Sequence, residues 1–152
     1  MVEKITLLGK TLAELQAIVQ QLRMPTFTAK QIANWLYVKR VTSIDDMSNL
    51  SAKNRNTLAE QYTIGLQAPS NTVTSEDGTK KYLFSTPNGA VETVLIPEED
   101  RATLCVSCQV GCKMNCVFCM TGKQGWNGNL TADDIMNQIC AIRESDTLTN
   151  IV

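Results

Sequence analysis

Five of the six cysteines in this 152-residue chain fall within the fifteen residues Cys105–Cys119. A secreted disulfide scaffold spreads its cysteines to staple distant segments, whereas a cluster predicts metal or redox chemistry built on one loop. The chain has no histidine, which excludes Ser-His-Asp triads, Cys-His dyads and His-ligated zinc. No apolar stretch approaches the roughly 18 residues of a membrane span, and the N-terminus lacks an apolar signal core. The expected setting is cytoplasmic, with no membrane partner. With 43% hydrophobic residues and a net charge of −1, the chain can build a core and does not read as disordered.

The hydrophobic period divides the chain into three zones. Residues 1–63 read as a small helical domain. Thr11-Leu-Ala-Glu14 is a capping-box pattern ahead of the stripe Leu12, Leu15, Ile18, Val19 and Leu22. Met24-Pro25 is expected to stop that helix. Thr28-Ala-Lys-Gln31 repeats the capping logic before Ile32, Trp35 and Leu36. A helical turn is expected at Ile44–Met47, and Ser51 caps a helix running to about Tyr62. This zone carries 8 Lys+Arg against 5 Asp+Glu, the remainder 6 against 10.

Residues 64–100 read as a β-hairpin extension and linker, with a period of two from about Asn71 to Pro97. Strands are expected at Thr72–Ser75, Lys81–Thr86 and Ala90–Ile96, with Asn88-Gly89 as a hairpin signal. Residues 101–152 then offer a strand at Ala102–Ser107, the cysteine loop, a helix capped by Thr131-Ala-Asp-Asp134 with Ile135, Ile139 and Ile142 inward, and a strand from Leu148. Strand, loop, helix and strand make a βαβ unit, which a parallel sheet completes.

The cysteine spacing supports two metal sites. Cys105, Cys108, Cys116 and Cys119 form two C-x2-C pairs, a candidate zinc site in a non-catalytic RNA-interaction module. The seven residues between the pairs are fewer than the usual 12–20, and a spacing of three along a strand points Cys105 and Cys108 to opposite faces. Cys112-x3-Cys116-x2-Cys119 instead supplies three thiolates, enough for three irons of a cubane and leaving the fourth iron open. Cys108 and Cys140 read as packed, reduced thiols.

The C-x3-C-x-aromatic-C loop after a strand resembles the radical S-adenosylmethionine superfamily. The surrounding words narrow the likeness. Arg101-Ala-Thr-Leu-Cys-Val-Ser-Cys-Gln-Val-Gly-Cys112, Cys119-Met-Thr-Gly-Lys-Gln-Gly-Trp-Asn-Gly-Asn-Leu130, Gly89-Ala-Val-Glu-Thr-Val94 and Ala29-Lys-Gln-Ile-Ala-Asn-Trp-Leu36 are similar to the RlmN/Cfr family of RNA adenine methyltransferases, on its RlmN branch. Cys108 departs from the family, which usually has serine there. The resemblance implies an α+β fragment: a helical accessory domain, an antiparallel β extension and the first β-loop-α unit of a partial TIM-type barrel. It implies a 4Fe–4S cluster and S-adenosylmethionine as cofactors. The implied partners are 23S rRNA and tRNA, methylated at C2 of an adenine, and an external flavodoxin-like electron donor.

Carried over by position, Cys112, Cys116 and Cys119 are the cluster ligands, and Phe118 lies on the cofactor side. Cys105 matches the strand cysteine that removes a proton so that a protein–RNA adduct resolves. Glu92 matches a glutamate at the RNA pocket that accepts a proton; from pattern alone it is equally an outward residue of a two-sided strand. Lys30, Lys39 and Arg40, with Lys53 and Arg55 in the same domain, are the candidate RNA-binding cations, and a solvated charged face is the plainer reading of them. The family's C-terminal half, with its methyl-carrying cysteine and Gly-Glu motif, has no counterpart in these residues, so the chain alone is expected to be inactive.

Overall fold

The computed structural model describes residues 4–152, which divide into two units, one ending at Leu66 and the other running from Gln67 to Val152. In the first unit, β1 (Ile5–Thr6) is followed by α1 (Leu12–Gln21), α2 (Thr28–Tyr37), a 3-10 turn at Ile44–Asp46, α3 (Ala52–Gln61) and β2 (Tyr62–Thr63). The Thr11 capping box is present: the Thr11 hydroxyl accepts from the Glu14 amide, and Glu14 accepts from the Thr11 amide at 2.7 Å. Leu15, Ile18 and Val19 are buried, while Leu12 at the edge of the predicted stripe is exposed.

Two local expectations are corrected. α1 ends before Met24-Pro25, because Arg23 turns left-handed (φ 55°) and the amides of Arg23 and Met24 return to the carbonyls of Gln20 and Val19. Thr28 is not a cap; it is buried in the first turn of α2, and Phe27 precedes it without a side-chain capping bond. Beyond the expected helices, the unit is closed by β1 pairing parallel to β2, which carries Leu7, Tyr62 and Ile64 into the helical core.

The second unit is built on a five-stranded sheet in the order β3 (Asn71–Thr74), β4 (Lys80–Thr86), β5 (Gly89–Pro97), β6 (Ala102–Cys105), β9 (Asn150–Ile151). The first four strands run antiparallel. The hairpin turns on Pro87 and Asn88, with Gly89 (φ 132°) already paired to Thr86. β9 pairs parallel to β6, so β6, α5 (Ala132–Cys140) and β9 form a βαβ unit. Period-two alternation buries Tyr82, Phe84, Val91, Thr93, Leu95 and Leu104 on one face.

Ile142 is buried in that core and Ile139 packs against it, but Ile135 does not join it. The deepest residues of α5 are the amides Asn137 and Gln138. Asn137 exchanges two hydrogen bonds with the Gln67 backbone, at 2.8 and 2.9 Å. Two short strands absent from the sequence reading, β7 (Gln109–Gly111) and β8 (Trp126–Asn129), pair antiparallel around a four-residue helix, α4 (Met120–Lys123). Among the described residues no helix is long and apolar enough to cross a membrane.

Candidate active site

The cysteine loop leaves the sheet beyond β6 and is closed at its base by β7 and β8. The Cys112 amide donates to the Gly125 carbonyl at 2.9 Å. Gly111 is left-handed (φ 71°), and a Cβ on it would stand 1.7 Å from that same carbonyl oxygen, so only glycine fits. Gly122 is needed for a different reason: a Cβ there would lie 2.9 Å from the Cys116 amide nitrogen. The loop is thus folded on its own backbone, with Lys113 capping the Trp126 ring at 3.9 Å.

Cys112, Cys116 and Cys119 are free, half-exposed thiols of this one loop. The Gly122 amide, helped by Thr121, holds the Cys119 thiol below its ordinary pKa. The donor set suits an iron–sulfur group: three reduced thiols in one braced loop, none spent in a disulfide. As they stand the side chains have not converged, since no three Cys, Asp or Glu residues among those described lie close enough to hold a metal. That applies equally to the zinc set Cys105, Cys108, Cys116 and Cys119. Phe118 is 88% exposed, and with Met114, Val117 and Met120 it gives the loop an apolar rim open to solvent. Cys108 is exposed and Cys140 half-exposed, so neither is the packed core thiol expected from the sequence.

Glu92 and Cys105 are brought to one face of the sheet. Cys105 pairs directly with Val94, and Glu92 sits two residues along β5 on the same side, making the two diagonal neighbours. Both are exposed, on the face opposite the core. Glu92 pairs with Lys81 Nζ at 3.3 Å across the β4–β5 ladder. Half-buried Leu83 and Val94 stand between and beside them.

In the helical unit, Lys30 is exposed on α2. Lys39 Nζ lies 3.7 Å from the centroid of Trp35, whose buried ring bonds Asn49 through Nε1. Arg40 is half-buried in a left-handed turn (φ 51°). Arg55 is turned inward, donating to the Leu50 carbonyl at 2.7 Å. Sequence reasoning missed Phe27, 61% exposed and three residues before Lys30. It also missed that the thirty residues between Glu14 and Asp45 contain four cations and no carboxylate.

This chain is similar to a solved radical SAM methyltransferase from Sphaerobacter thermophilus, at a TM-score of 0.85 and 39% identity, over 97% of this chain and 45% of that one. The class defined by fold and loop is therefore the N-terminal part of a radical SAM methyltransferase. Residues 5–64 match the family described as the ribosomal RNA large subunit methyltransferase N-terminal domain. The probable dual-specificity RNA methyltransferase RlmN of Bacteroides fragilis is 60% identical over 150 residues, and the dual-specificity RNA methyltransferase RlmN of Geotalea uraniireducens 45% over 151; the alignments take in 98% and 99% of this chain. The chain belongs to the RlmN family, and it spans 44% of the length of these relatives.

Proposed function

We propose that the chain forms the N-terminal part of a radical methyltransferase that modifies C2 of an adenine in 23S rRNA and in tRNA. The observation that carries this reading is the shared open face of Glu92 and Cys105, at the end of β6 from which the three-cysteine loop departs. The parallel β6–β9 pair supports the reading of residues 101–152 as the first unit of a partial barrel, whose sites lie at the C-terminal ends of its strands.

Cys112, Cys116 and Cys119 would hold a 4Fe–4S cluster, and exposed Phe118 offers a ring to S-adenosylmethionine. When bound, the cluster supplies the electron for reductive cleavage of S-adenosylmethionine, the chemistry that opens an electron-poor ring carbon to methylation. The chain's own residues do the rest. Cys105 Sγ takes a proton from the RNA adduct, and the Glu92 carboxylate accepts a proton, held in place by Lys81. Lys30, Lys39 and Arg40 grip RNA phosphates.

Anaerobic reconstitution with iron and sulfide tests this directly. The expected result is about four irons per chain and a reduced-state EPR signal. A change in that signal on adding S-adenosylmethionine extends the reading to the cofactor site. Tight zinc and no EPR-active cluster would sink it. The 152 residues alone are expected not to methylate RNA.

A further inference from the structure

Gln138 is fully buried on α5 and uses every hydrogen-bonding position it has. Its Oε1 accepts from Thr93 Oγ1 at 2.7 Å and from the Ser107 amide at 2.8 Å. Its Nε2 donates to the carbonyls of Ser107 at 2.9 Å and Asp134 at 3.3 Å. A primary amide has two acceptor and two donor positions, so this one is saturated. The Ser107 hydroxyl in turn donates to the Glu92 carbonyl at 2.7 Å.

These bonds fall where the backbone ladder stops. β5 and β6 pair as far as Val94 and Cys105. Two residues further the same register sets Ser107 opposite Glu92, and side-chain bonds replace the ladder. Thr93, tied to Gln138 and fully buried, is the neighbour of Glu92; Ser107 follows Cys105 by two residues. A methionine at position 138 would fill nearly the same space but leave the Thr93 hydroxyl and the Ser107 backbone without these partners.

We propose that Gln138 is a positioning residue whose amide, acting from the helix-covered side of the sheet, sets the spacing of Glu92 and Cys105 on the open side. The inference rests on the reading that those two side chains work together, and its test separates the two ideas.

In the reduced, metal-free chain carrying Glu92→Cys, the introduced thiol is a diagonal neighbour of Cys105, ~7–8 Å away, within reach of the short bifunctional thiol reagent dibromobimane. Cross-linking of positions 92 and 105 is followed by peptide mass spectrometry. The cross-link is expected to form in the Glu92→Cys protein. In a Gln138→Met background its yield is expected to fall several-fold, with the cross-link between Cys116 and Cys119 of the loop unchanged.

An undiminished cross-link in that background makes Gln138 a packing residue and overturns the proposal. No cross-link in the Glu92→Cys protein itself shows that the two positions are not held together, and the proposal falls with the reading it rests on. Thr93→Val keeps the side-chain shape and removes one of the four bonds, so it is expected to lower the yield in part. If Gln138→Met does not fold, seen as a lost far-UV circular dichroism signal, Thr93→Val decides: retention of the full yield overturns the proposal.

Discussion

The Tyr82 hydroxyl donates to Glu144 Oε2 at 2.6 Å, and the other carboxylate oxygen of Glu144 is held by the Lys80 ammonium. The bonds join β4 to the turn after α5 beside the core of the second unit. Burial and then the Glu144 bond push the Tyr82 phenol above its ordinary range. For Glu144 burial opposes ionisation, but Lys80 and Tyr82 outweigh it and hold the carboxyl below its ordinary value.

Stability should therefore depend on acid. A carboxyl lowered by folding contributes its full stabilisation above the unfolded pKa of about 4.3, and loses it as pH falls through the lower folded value. Glu144→Gln is expected to lower stability at pH 7 by roughly 1 kcal/mol, after allowance for partial exposure. It should also flatten the acid limb of the stability curve. Urea unfolding between pH 7 and pH 3 reads both; parallel acid limbs for the two proteins would count against this assignment.

The cysteine loop should fail when its base cannot close. Gly111→Ala sets a methyl group against the Gly125 carbonyl and forces a left-handed conformation on alanine. We expect iron uptake on reconstitution to be lost while the helical unit, whose core is separate, stays folded. Iron analysis and far-UV circular dichroism of the same sample check both halves.

The two metal assignments part at two residues. Cys112→Ala is expected to abolish iron binding and Cys105→Ala to spare it, since Cys105 ends β6 outside the closed loop. Zinc retained by Cys112→Ala and lost by Cys105→Ala would favour the four-thiolate site.

Charge on the helical unit should show in the salt dependence of RNA binding. Replacing Lys39 and Arg40 with Glu is expected to weaken binding of a structured RNA. It should reduce the slope of log K against log salt by about 0.7–0.9 for each phosphate that is no longer neutralised. Phe27→Ala is expected to weaken binding with little change of slope, because stacking on a base carries no counterion release. Fluorescence anisotropy over a salt series distinguishes the two; an unchanged slope for the double variant would refute the placement.

Most of what could be read from the sequence was local. The Thr11 and Thr131 capping boxes, the Asn88 hairpin and the alternation that buries Val91, Thr93 and Leu95 each depend on residues a few positions apart. The three-cysteine spacing and the words around it sufficed to indicate the family.

What only the tertiary structure decided lies in contacts between distant segments. Parallel β1–β2 pairing joins residues more than fifty apart, and β7–β8 are too short to leave a period. Pattern reading sends an amide outward because it is polar, yet Gln138 is buried because Thr93 and Ser107 satisfy it. Glu92 was ambiguous for a similar reason. One strand's alternation says that a residue faces one side or the other, but only the register against β6 sets Cys105 on the same side.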